Sequence, residues 1–177
     1  MNAVSDVFLP MILSEKNYDK AKRLMTKKYP VDNEFISILK SYDTREIDNT
    51  WEIVLKPFVK GNFSIGYGTR LCISTVCPAF YIEHEYSISN QARERDANEL
   101  MGRSDTPYIE EQAILEKKLV RTLTVSGYQR IEKKDRNYMI PNAYIEDEQV
   151  SLESIIFNNV LDTFSDCLEW GEKNKNV

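Results

Sequence analysis

The chain has 177 residues, 42% of them apolar and 29% charged, with a net charge of −5. A chain of this length buries about 70% of its unfolded surface, so a core forms without metal or disulfide. Ten Tyr and seven Phe exclude disorder throughout. The residues read as one α+β domain over 1–177. No basic segment precedes the apolar stretch Val7–Leu13, which is short and broken by Pro10. No run approaches the roughly 20 apolar residues that span a bilayer. These features predict a cytoplasmic protein with no membrane partner. Cys72, Cys77 and Cys167 are odd in number and unpaired in spacing, which fits reduced thiols.

Ser14 is placed to cap a helix through Tyr29, with Tyr18, Ala21 and Met25 on one face and Pro30 at its end. Asp32 is placed to cap a second helix, where Phe35, Ile38, Leu39 and Tyr42 recur at helical spacing. Together they predict an N-terminal helical hairpin on a sheet. From Trp51 the period becomes two: Trp51, Ile53 and Leu55 alternate with Glu52, Val54 and Lys56. Gly61-Asn62 marks a turn. Three further strands are expected over Phe63–Tyr67, Thr69–Val76 and Ala79–Ile88. Short connections favour antiparallel neighbours, so the sheet is predicted to be an antiparallel meander.

Asn90–Thr106 is polar and charged and reads as a long connection. Thr106 then predicts a helix start, with Pro107 first, Glu110 and Glu111 in the opening turn, and Ile109, Leu115, Leu119 and Leu123 as the buried stripe. Gly127 is placed to end it. The last apolar series, Leu152, Ile155, Ile156, Val160, Phe164 and Leu168, fits a helix capped by Ser151. A strand over Val150–Phe157 fits as well, and the residues before Asn158 leave the choice open.

Few residues point to chemistry. His84 is the one histidine, and in its strand it shares a face with Phe80, Ile82 and Tyr86. It is read as a hydrogen-bonded core residue, since no nucleophile with a known local signature accompanies it. Glu83 and Glu85 share the opposite face with Tyr81. Two carboxylates at that spacing could hold a metal or share acid–base work, as in a small hydrolase. A binding surface with an aromatic beside two acids is the preferred reading. The spacing of Cys72 and Cys77 fits no common zinc knuckle. Gly61, Gly66 and Gly68 lack the Lys-Ser or Lys-Thr of a phosphate loop. No metal and no cofactor are therefore expected.

Charge is unevenly placed. The first predicted helix is basic, through Lys16, Lys20, Lys22, Arg23, Lys27 and Lys28. Between Tyr138 and Glu172 there is no Lys or Arg, while Glu146, Asp147, Glu148, Glu153, Asp162, Asp166, Glu169 and Glu172 fall there. Such a block repels polyanions and attracts basic surfaces, which argues against direct nucleic-acid contact. Glu146, Asp147, Glu148, Asp166 and Glu169 are the candidate contact acids. Tyr144 and Trp170 are the candidate aromatic anchors, because interface cores favour Tyr and Trp.

Gly127-Tyr128-Gln129-Arg130-Ile131, then Ile140-Pro141, then Val150-Ser151-Leu152 through Ile156-Phe157-Asn158 form a pattern. It resembles the C-terminal end of small bacterial immunity proteins encoded beside polymorphic or contact-dependent toxins. In those a helix ends in Gly-Tyr, an apolar-Pro turn follows, and an acidic stretch leads to an apolar segment ending near Leu-Phe. This chain has Ile156-Phe157 instead and a longer tail. The resemblance implies a non-enzymatic protein that caps a cognate toxin domain with a basic surface, often a nuclease. The alternatives are the Glu83/Glu85 hydrolase and a regulatory or phage-encoded interaction module.

Overall fold

A computed structural model describes residues 33–47, 49–74, 77–90, 100–145, 148–157 and 168–170. The first predicted helix, with its basic side chains, lies outside these residues. The fold is α+β with an antiparallel meander, and the chain divides into two compact units. One comprises Pro30–Ile73 and Phe80–Arg130; the other includes Ser74–Ala79 and Ile131–Val177.

The first unit opens with helix α1, Asn33–Lys40. Strands β1 (Asp43–Ile47), β2 (Thr50–Lys60), β3 (Phe63–Ile73), β4 (Ala79–Asn90) and β5 (Leu100–Ser104) follow in sheet order. Helix α2, Glu110–Val125, and a short strand β6, Gln129–Arg130, complete it, with β6 pairing β4. The expected alternation in β2 holds: Ile53 is 0% and Leu55 5% exposed, while Val54 is 50% exposed. The two strands expected over Phe63–Tyr67 and Thr69–Val76 are one, because Gly68 continues the ladder between Val54 and Glu85. The Asn90–Thr106 connection contains β5, which pairs His84–Ile88 of β4 and which composition hid.

The register defines the two faces of this sheet. Rows Trp51–Leu71–Ile82, Ile53–Thr69–His84–Ser104 and Leu55–Tyr67–Tyr86–Gly102 lie on the α2 side, as the His84–Glu116 hydrogen bond to that helix shows. Phe35 of α1 meets Trp51 edge-on at 5.7 Å. Leu115, Leu119 and Leu123 of α2 are fully buried, as their spacing predicts. β1 pairs only Thr50–Val54, so the rest of β2 has an open edge among the described residues. Lys56, Pro57 and Lys60 line it, and the register shifts between Leu55 and Phe58. Charge, proline and a bulge are standard protections against edge pairing.

Helix α2 starts later than Thr106 and Pro107 suggested. Ile109 is its N-cap residue, and no side-chain cap bond is made there. Instead the Tyr108 N–H donates to Gln112 Oε1 at 2.8 Å, and the Thr106 N–H donates to Ser104 Oγ. The other end follows the expectation. Gly127 adopts φ 87°, the Tyr128 N–H donates to the Leu123 carbonyl, and the Gly127 N–H donates to that of Thr124. This is a Schellman termination, in which buried Tyr128 and Leu123 supply the accompanying apolar contact positions.

In the second unit β7 (Met139–Ile145) is the central strand between β8 (Glu148–Ser151) and β9 (Leu168–Trp170). Short helices α3 (Lys133–Arg136) and α4 (Leu152–Ile156) accompany it. The segment left open between strand and helix is both: β8 ends at Ser151, whose Oγ accepts the Ser154 N–H and caps α4. Leu168 is in a strand rather than in a continuing helix. Ile140-Pro141 lies within β7, where the register shifts, rather than in a turn. Buried Arg136 reaches Glu153 at 3.3 Å and so ties α3 to α4. Ser74 Oγ donates to the Ile156 carbonyl at 2.7 Å and accepts the Cys77 N–H. Ile131, Ile140, Leu152, Ile155 and Ile156 are buried.

Candidate partner-binding surfaces

Among the described residues, the cluster with catalytic composition is sealed. His84 is 0% and Thr69 2% exposed. Thr69 Oγ1 lies 3.1 Å from His84 Nδ1, and Glu116 Oε2 lies 2.9 Å from Nε2. The other oxygen of Glu116 meets Arg130 of β6. A carboxylate accepts only, so Nε2 carries the proton and the Thr69 hydroxyl donates to Nδ1. Burial pushes the imidazole below its ordinary value, against the opposing pull of Glu116. Hydroxyl, imidazole and carboxylate thus line up, but no substrate reaches a hydroxyl so deeply buried. The set pins α2 to β3, β4 and β6. This agrees with the reading of His84 as a bonded core residue. Glu116 was not singled out from sequence, although it occurs one turn after Gln112. Gln112 is itself a second pin, donating to the Gly68 and Glu85 carbonyls at 2.6 and 3.1 Å.

The opposite sheet face holds Glu83 and Glu85, but not as a bare acidic pair. Arg45, Glu52, Arg70 and Glu83 occupy one register across β1 to β4, alternating in sign. Glu85 pairs with Arg103 of β5 at 2.7 Å. Opposite charges directly across strands are favourable, each pair worth about 0.2–1 kcal/mol. Tyr81 shares this face but is 3% exposed, so it offers no aromatic surface. That departs from the expected exposed trio, because Tyr81 is near the buried end of β4 and beside Cys72. Among the described residues no group of three or more His, Cys, Asp or Glu could hold a metal ion. Cys77 is buried, which pushes its thiol up to about 12, against the Ser74 hydrogen bond. A thiol so raised is a poor nucleophile.

Two of the acidic candidates, Glu148 and Glu169, lie in the second unit's sheet. Tyr144 of β7 is half-buried and stands opposite Gln149 on one side and Glu169 on the other. Ile145 stands opposite Glu148 and Leu168, and Ala143 opposite Trp170. Glu148 is exposed. Four candidates therefore occupy neighbouring rows of this sheet, Tyr144 and Glu169 in register on one face and Glu148 and Trp170 on the other. Glu146, Asp147 and Asp166 lie outside the described residues.

Comparison of the chain with known families, characterised proteins and solved structures finds no match. No helix among the described residues is long and apolar enough to cross a membrane.

Proposed function

We propose that this chain is an immunity protein that binds and neutralises a cognate bacterial toxin domain in the cytoplasm. The toxin domain presents a basic surface, as a nuclease groove does. The observation that supports this reading is the small sheet β8–β7–β9. It sets Glu169 beside Tyr144 in one register row and Glu148 in the next row, on the opposite face, within a stretch from Tyr138 to Glu172 that has no Lys or Arg. An acidic residue in register with an aromatic one, in a segment without cations, suits capture of a cationic groove. Electrostatic steering speeds encounter, and the aromatic contributes buried area. The C-terminal resemblance to toxin-neutralising proteins points the same way.

Co-expression tests the proposal. The C-terminal domain of the product of the gene immediately upstream is expressed with and without this chain. Growth arrest relieved by this chain, with a complex recovered on gel filtration, is the expected result. A toxic domain whose effect this chain leaves unchanged, with no complex formed, overturns it.

A further inference from the structure

The sheet of the first unit extends past its helix. Gln112, in the first turn of α2, bonds at the level of Gly68 and Glu85, and Tyr108 packs edge-on against Tyr86 at 4.8 Å. Beyond that row β4 continues to Asn90 and β2 and β3 to their turn. The overhang from Tyr86 to Asn90 is about 14 Å at ~3.4 Å per residue. Alternation from His84 places Ile88 on the α2 side, and with it the whole register row Phe58–Ile65–Ile88–Leu100. This is an apolar stripe across four strands. Phe58, Leu100 and neighbouring Phe63 are 58, 59 and 54% exposed. Single exposed apolar residues are ordinary, but a contiguous row on one face marks an interaction site.

The stripe has polar flanks of opposite sign. Lys60, exposed and two residues beyond Phe58 on the same face, borders it at the turn. Glu110 and Glu111, exposed in the first turn of α2, border it at the helix. We propose that a second copy of this chain docks on the stripe about a two-fold axis running along it. That rotation lays stripe on stripe and sets the Lys60 flank of each copy over the Glu110–Glu111 flank of the other. A two-fold axis along the strands would instead oppose like charges. The layer heights agree: sheets stack at ~10 Å, and a helix with its side chains is about 10–12 Å across. The second sheet therefore fills the layer that α2 vacates.

Sedimentation equilibrium on the full chain tests this with three variants, Phe58→Asp, Lys60→Glu and the double variant Glu110→Lys/Glu111→Lys. The expected result is a concentration-dependent dimer, weakened about tenfold or more by Phe58→Asp, with an unchanged circular dichroism melt. Each charge variant alone self-associates less. An equimolar mixture of the two regains the dimer, because both flank contacts in the mixed pair are then opposite in sign. A monomer at every concentration, or a dimer indifferent to Phe58→Asp, overturns the proposal. So does a mixture no tighter than its components. A monomer whose Phe58→Asp variant instead loses the upstream gene's toxin domain overturns it and assigns the stripe to that partner.

Discussion

Replacing Glu116 with Ala removes the acceptor of two part-buried contacts at once. His84 Nε2–H, in a side chain 0% exposed, loses its partner at 2.9 Å. An unsatisfied buried donor costs about 1–3 kcal/mol. Arg130 also loses its ion pair, but it is 23% exposed and Glu116 15% exposed, so solvent takes over part of that contact. A partly screened pair adds at most about 1 kcal/mol. The sum is a destabilisation of about 1–4 kcal/mol, measured by urea unfolding against a Lys117→Ala control on the exposed side of the same helix. Glu116→Gln keeps an acceptor for Nε2–H and loses only the charge facing Arg130, so it costs at most about 1 kcal/mol. A loss below about 0.5 kcal/mol for Glu116→Ala would refute the assignment of this cluster as the pin between α2 and the sheet.

His84 also sets a pH dependence. Its folded pKa lies below the ordinary 6.5 through burial, with Glu116, Arg130 and Asp105 as the charged groups acting on it. The unfolded chain therefore binds the proton first, and stability falls as pH falls below 6.5 towards the folded value, by up to about 1.4 kcal/mol per pH unit. His84→Gln should flatten that slope between pH 6.5 and 5.5; parallel slopes for the two proteins contradict it. Gly127→Ala puts a side chain at φ 87° and should cost about 1–2 kcal/mol of unfolding free energy, with no loss in the unoccupied space around it. Gly102→Ala drives a methyl into the Tyr86 ring, 2.3 Å from the nearest ring atom, and should cost about 1–3 kcal/mol and alter the tyrosine near-ultraviolet signal. An unchanged spectrum would show that Tyr86 does not lie over β5.

The meander was legible because burial on one face imposes a period of two, as Ile53 and Leu55 show against Val54. The α2 stripe and the Gly127 stop were legible for the same kind of local reason. β1 and β5 were not. Asp43–Ile47 and Leu100–Ser104 are edge strands, mostly exposed, so their sequences carry charge and glycine rather than alternation. The start of α2 was misplaced because Gln112 supplies the cap bond from inside the helix, which Thr106 and Pro107 do not signal. For the sites, alternation put His84 on the core face but could not name Glu116 and Arg130, which approach from other elements. Glu83 and Glu85 looked like an acidic pair because Arg70 and Arg103, their cross-strand neighbours, are distant in sequence. The acidic block was visible as composition, whereas the placing of Glu169 beside Tyr144 depends on β9 returning to pair Ala143–Ile145.

The central claim concerns how that block meets its partner, and association kinetics test it most directly. Glu146, Asp147 and Glu148 are reversed together to Lys, and binding to the C-terminal domain of the upstream gene product is followed by stopped flow at low and at physiological ionic strength. Steered association should slow by about tenfold or more at low salt and lose most of its salt dependence, while the urea unfolding curve stays in place. An unchanged association rate at low salt would contradict the account and make the block a solvated face.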